Sequence, residues 1–114
     1  MYKFTVEGRM NGMNEFIAAN RQNPIVGNRM KQEAEQIISI SIRRDLKRLK
    51  IERPIKLHYK YYEPNRKRDL DNISGFFHKV CQDALVKCGV LAGDGWKNIV
   101  GFTDEFYEDK NNPR

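Results

Sequence analysis

Two aspartates stand one residue apart in the stretch Arg66-Lys67-Arg68-Asp69-Leu70-Asp71-Asn72. In extended backbone alternate side chains share a face, so Asp69 and Asp71 point together and Leu70 turns toward the core. Two carboxylates held together repel, and their pKa values separate. Something positive between them relieves this. The basic run Arg66, Lys67, Arg68 is one candidate, and a divalent cation is the better one, because a hard metal takes carboxylate oxygens. Capping of the following helix by Asp71 or Asn72 needs only one such residue and leaves Asp69 without a role. A third carboxylate, Asp94, lies in Gly93-Asp94-Gly95-Trp96. The helix between is about 24 Å long, so Asp94 reaches the pair only through a turn of the fold or from a second subunit.

The elements that must position these residues are legible from periodicity. Residues 2–10 alternate Tyr2, Phe4, Val6 against Lys3, Thr5, Glu7, the pattern of a half-buried strand. A polar connector follows, in which Asn14, Arg21 and Asn23 are candidate contact residues. Apolar residues at helical spacing predict a helix over 28–49, capped by Asn28. It ends in Arg43, Arg44, Lys47, Arg48 and Lys50, cations that suit a helix C-terminus and also suit phosphate. Residues 53–63 form a second strand, with Ile55, Leu57, Tyr59 and Tyr61 on one face and Lys56, His58, Lys60 and Tyr62 on the other. A second helix spans 72–87 and stops at Gly89. A final strand spans 97–108, with Val100, Phe102 and Phe106 in register. The order is β-α-β-α-β, giving an α+β fold in which two main helices pack on a small mixed sheet.

The 114 residues suit a single domain over 1–114. The net charge of +6 favours a polyanionic partner. No apolar run approaches the roughly 20 residues of a membrane span, and the N-terminus alternates where a signal peptide would be apolar, so a cytoplasmic protein without a membrane partner is expected. Cys81 and Cys88 lie seven apart in one helix, two turns from each other, which predicts reduced, buried thiols. There is no glycine-rich phosphate loop to support a nucleotide-dependent transferase, and no small-molecule cofactor is expected.

The run Arg66-Lys67-Arg68-Asp69-Leu70-Asp71-Asn72, the helix containing Lys79-Val80-Cys81-Gln82-Asp83-Ala84-Leu85, and the downstream Gly93-Asp94 together resemble the RusA family of Holliday-junction resolvases, especially its phage-borne members. The N-terminal and C-terminal stretches resemble it too, so the likeness covers nearly the whole chain. It implies a homodimeric, Mg²⁺-dependent endonuclease of recombination and repair that cuts branched DNA, with Mn²⁺ as a substitute ion. It implies that Asp69, Asp71 and Asp94 bind the metal, each site drawing residues from both subunits. Two positions depart from the family pattern. Its best-known members carry a lysine where Gly75 stands, and counting back from Asp83-Ala84-Leu85 the matching lysine is Lys79. Some relatives carry a further acid where Gly93 stands. Under this reading Lys79 stabilises the transition state, while Arg66, Lys67, Arg68, Asn14 and Lys60 hold DNA. The rival reading is a binding module for branched or single-stranded DNA, in which Gly75 and Gly93 mark lost catalysis.

Overall fold

A computed structural model describes residues 1–114. Its elements run α1 (Met13–Gln22), α2 (Pro24–Leu46), β1 (Ile55–Glu63), α3 (Leu70–Lys87) and β2 (Ile99–Glu108). The fold is α+β, with three helices and a two-stranded parallel sheet. The order expected from periodicity is therefore corrected at the N-terminal end. No strand forms before the helices, and the polar connector contains a helix, α1.

The physical reason for the missing strand lies in Thr5. Its N–H donates to the Asp45 carboxylate at 2.9 Å, and its carbonyl accepts from the Arg44 guanidinium at 2.6 Å. These side chains satisfy backbone groups that a ladder would otherwise use. The alternation still has a packing meaning, because Val6 is buried and Phe4 is half-buried. Arg44 and the Thr5 N–H together hold the Asp45 carboxyl at about 2, below the usual carboxylate range.

α3 is the central element. Ile73, Phe76, Val80, Cys81, Ala84 and Leu85 are its buried residues, a three- and four-step spacing that faces α2 and the sheet at once. Ile38 and Ile42 of α2 belong to the same core, as do Tyr59 and Tyr61 of β1 and the turn residues Val90 and Leu91. Tyr59 and Tyr61 each meet the Phe77 ring edge-on, at 6.0 and 5.8 Å. Cys81 is fully buried and Cys88 half-buried, and both are free thiols, as the spacing required. Burial pushes the Cys81 thiol up to about 12.

β1 keeps its expected faces, with Tyr59 and Tyr61 inward and Lys56, His58 and Lys60 outward. β2 keeps Phe102 and Phe106 on its expected face and loses Val100 from it. The pairing slips between Ile55↔Ile99 and Lys56↔Gly101, an irregularity that leaves Val100 unpaired and exposed. Phe106 then stacks on Tyr61 at 4.9 Å, and Phe102 meets His78 edge-on at 4.7 Å.

Two backbone positions limit substitution. Gly12 precedes α1 and supplies no side-chain cap. Asn72 of α3 provides it from outside, its Oδ1 accepting from the Asn14 N–H at 2.7 Å. A Cβ on Gly12 would lie 2.5 Å from that Oδ1 and 2.8 Å from the Asn72 carbonyl oxygen. Gly12→Ala is therefore expected to force α1 away from α3 and cost about 1–3 kcal/mol, read as a lower urea midpoint. Lys47, after the end of α2, has φ 58 and ψ −121. A side chain in that region carries strain of about 1–3 kcal/mol. Lys47→Gly is expected to raise stability by about 1 kcal/mol after the entropy cost of glycine, seen as a higher thermal midpoint.

Candidate functional site

The residues around the start of α3 converge from three elements. β1 ends in Glu63, and its carboxylate is buried inward at 8% exposure. Glu63 Oε1 accepts from Arg9 Nε and Nη2 at 3.3 and 3.2 Å, and Arg68 Nη1 stands 3.8 Å away. Arg68 also donates to the Met10 carbonyl at 2.9 Å and to Glu15 of α1. Its side chain keeps only 15% exposure. Arg68, expected at a phosphate, thus turns inward and ties the turn before α3 to β1 and α1.

That anchor fixes Asp69 and Asp71. Asp69 occupies the capping position of α3, in extended backbone with φ −67 and ψ 153, yet its carboxylate makes no capping bond. Asp71 lies in the first helical turn. Both side chains are exposed. The helix begins two residues earlier than expected, at Leu70, which is 55% exposed where a core position was expected. Strand-like alternation therefore does not hold at Asp71. Both carboxylates instead belong to the start of α3, where the positive end of the helix dipole offsets part of their repulsion. Asn72, the expected cap, is committed to Asn14.

The other candidates sit as follows. Lys67 is exposed, its N–H received by Asn65 Oδ1 at 3.0 Å in a tight turn. Arg66 is 88% exposed and pairs with Glu108 at 3.0 Å. Asn14 is exposed beside the pair, on α1, and Lys60 is exposed on the outer face of β1. Asn23 caps α2, accepting from the Ile25 N–H at 2.8 Å. Lys79 is exposed on α3. It makes no ion pair with Asp83 one turn on, which pairs with Lys31 of α2 at 3.3 Å. Gly75 faces α1, and a Cβ there would lie 3.1 Å from Met13 Cε. A side chain at position 75 would crowd the flexible end of Met13, which must give by a few tenths of an ångström.

Asp94 does not join the pair within one chain. It lies in the turn after α3, whose 18 residues extend about 27 Å. The chain then enters β2 at Ile99, opposite Ile55 at the start of β1, whereas Asp69 follows the far end of β1. No group of three or more metal-binding side chains forms. Exposed carboxylates such as Asp69 and Asp71 are the donor type Mg²⁺ takes, commonly one or two of them together with waters and substrate phosphate.

A second polar cluster was not foreseen. Asp104 Oδ1 accepts from the Tyr61 hydroxyl at 2.9 Å and meets His78 Nε2 at 2.6 Å. His78 stacks on Tyr59 at 4.4 Å. Burial and the Asp104 contact raise the Tyr61 hydroxyl far above its ordinary pKa. The cluster joins α3 to both strands. Asp104 shares the inner face of β2 with Phe102 and Phe106 by alternation, but nothing local shows that it meets Tyr61 and His78. No family model and no curated protein matches this chain.

Proposed function

We propose that this protein is a divalent-metal-dependent endonuclease that hydrolyses phosphodiester bonds in branched DNA, of the RusA type. The observation that carries the reading is the exposed pair Asp69 and Asp71 at the start of α3, without a capping bond, beside exposed Arg66 and Lys67. A protein of net charge +6 has no electrostatic need to leave two carboxylates bare beside a basic turn. Metal binding gives them one.

Asp69 and Asp71 would hold Mg²⁺ or Mn²⁺, with Asp94 supplied by a second copy of the chain in a homodimer. When bound, the ion lowers the pKa of a water and neutralises charge on the attacked phosphate. Arg66 and Lys67 draw the backbone in, and Asn14 and Lys60 flank it. Lys79 adds positive charge where the phosphate gathers negative charge in the transition state. Arg68 serves as the anchor that keeps the acid pair beside the basic turn. Phosphate contacts fix position and do not read bases, so selectivity comes from DNA shape.

The separation of Asp94 from the pair in one chain favours a second reading, a non-catalytic module that grips branched DNA. Incubation with a labelled four-way junction, with Mg²⁺ or with EDTA, decides between them. Paired nicks that require the metal support the nuclease. Binding without cutting under both Mg²⁺ and Mn²⁺ leaves the module.

A further inference from the structure

The C-terminal ends of α2 and α3 carry more positive charge than the fold requires. Lys31 of α2 meets Asp83 of α3, and the Cys88 thiol reaches the Ser39 carbonyl at 3.9 Å. Both contacts advance along both helices, so the two run in the same direction, and α3 ends beside Ser39 while α2 continues to Leu46. Each helix end carries roughly −0.5 charge, about −1 in all. Against this stand Arg43, Lys47, Arg48, Lys50 and Lys87, all exposed. The surplus is about +4, too large to be dipole compensation.

These cations line one groove in two parts. A cavity of about 380 Å³ is lined by Gln32, Gln36, Ser39, Arg43 and Lys87. A second of about 560 Å³ continues past Arg43 to Lys47, Arg48 and Lys50. No lining residue is acidic. Arg44, the neighbouring cation that does have a carboxylate, faces Asp45 instead. Ser39 is 3% exposed and its Oγ has no hydrogen-bond partner, an orphaned hydroxyl at the wall of the first cavity. Lys47 enters the groove from its strained backbone conformation. Cations with no carboxylate among them converge on one trough.

We infer that this groove is a second nucleic-acid contact that holds consecutive backbone phosphates of a duplex arm, remote from the acid pair. The inference takes from the proposed function only that the ligand is DNA, and cleavage is not needed for it. The groove lies at the C-terminal end of α3 and the acid pair at the N-terminal end, about 27 Å apart along the helix. With about 3.4 Å per nucleotide along a strand, the groove meets an arm about eight base pairs from the acid pair.

Binding is read by fluorescence anisotropy in EDTA at graded salt, using four-way junctions with arms of five or fifteen base pairs. With the long arms, Arg43→Gln/Lys87→Gln is expected to weaken binding at least tenfold and to lower the log–log salt slope by about two. With five-pair arms, wild type and variant should bind alike. Lys47→Gln/Lys50→Gln serves as an independent pair and should behave the same way. Wild-type slopes for both pairs on long arms, with unchanged thermal midpoints, would overturn the assignment. So would a groove that takes free pyrophosphate, seen as a cation-dependent rise in midpoint, while the DNA slope stays fixed. Absence of cutting in Mg²⁺ bears on the nuclease alone, and an unchanged slope with cutting intact bears on the groove alone.

Discussion

Asp71→Asn is expected to cut a four-way junction less than one-thousandth as fast as wild type in Mg²⁺, a loss of about 4 kcal/mol of transition-state stabilisation. The substitution keeps the shape of the side chain and removes its charge. Asp71 is exposed in the first turn of α3 and is not a core residue, so folding should survive. Junction affinity in EDTA should hold or rise, because a negative charge beside Arg66 and Lys67 has gone. Asp69→Asn should behave alike. Mixing Asp71→Asn chains with Asp94→Asn chains addresses the shared site. If each site draws Asp94 from the other subunit, mixed dimers regain one intact centre and nick one strand. Wild-type cutting by Asp71→Asn would remove the acid pair from the chemistry altogether.

Glu63→Ala is expected to destabilise the protein by about 3 kcal/mol, because it removes one member of a buried charge cluster and leaves its partners behind. Arg9 loses both of its bonds, and Arg68 loses one of two nearby carboxylates. Glu63→Gln keeps an acceptor and should cost about half as much. Chemical denaturation gives the stability term. The effect on cutting should exceed what unfolding explains, because Arg68 immediately precedes Asp69. A fully folded Glu63→Ala sample at low temperature should show reduced kcat with little change in KM. Equal stability of wild type and Glu63→Ala would show that the Arg9–Glu63–Arg68 cluster does not hold the turn.

What was legible in the sequence is what depends on neighbours along the chain. α3 announces itself by Ile73, Phe76, Val80, Ala84 and its Gly89 stop, and Gly89 does adopt a positive φ of 77. β1 announces itself by strict alternation. α1 does not, because Ala19 is its only fully buried residue and its cap comes from Asn72, more than fifty residues away. The first strand was misread because Thr5 bonds to side chains of α2, a choice made in three dimensions. The grouping of Asp69 and Asp71 was drawn from strand alternation, whereas the helix begins between them and puts one at its cap position and the other in its first turn. The inward turn of Arg68 rests on Glu63 and Glu15, and nothing in a basic run of three shows which member will be taken by the protein itself.

The two thiols give the molecule separate clocks for opening. Cys81 lies in the core with its proton held to about 12, so thiolate forms there only when the whole domain comes apart. Cys88 sits half-buried where α3 ends against α2, at the Ser39 carbonyl, and needs only that end of α3 to part. An alkylating reagent therefore separates breathing of the groove from global unfolding in a single chain. Bound DNA would slow the Cys88 clock directly and the Cys81 clock only through overall stabilisation.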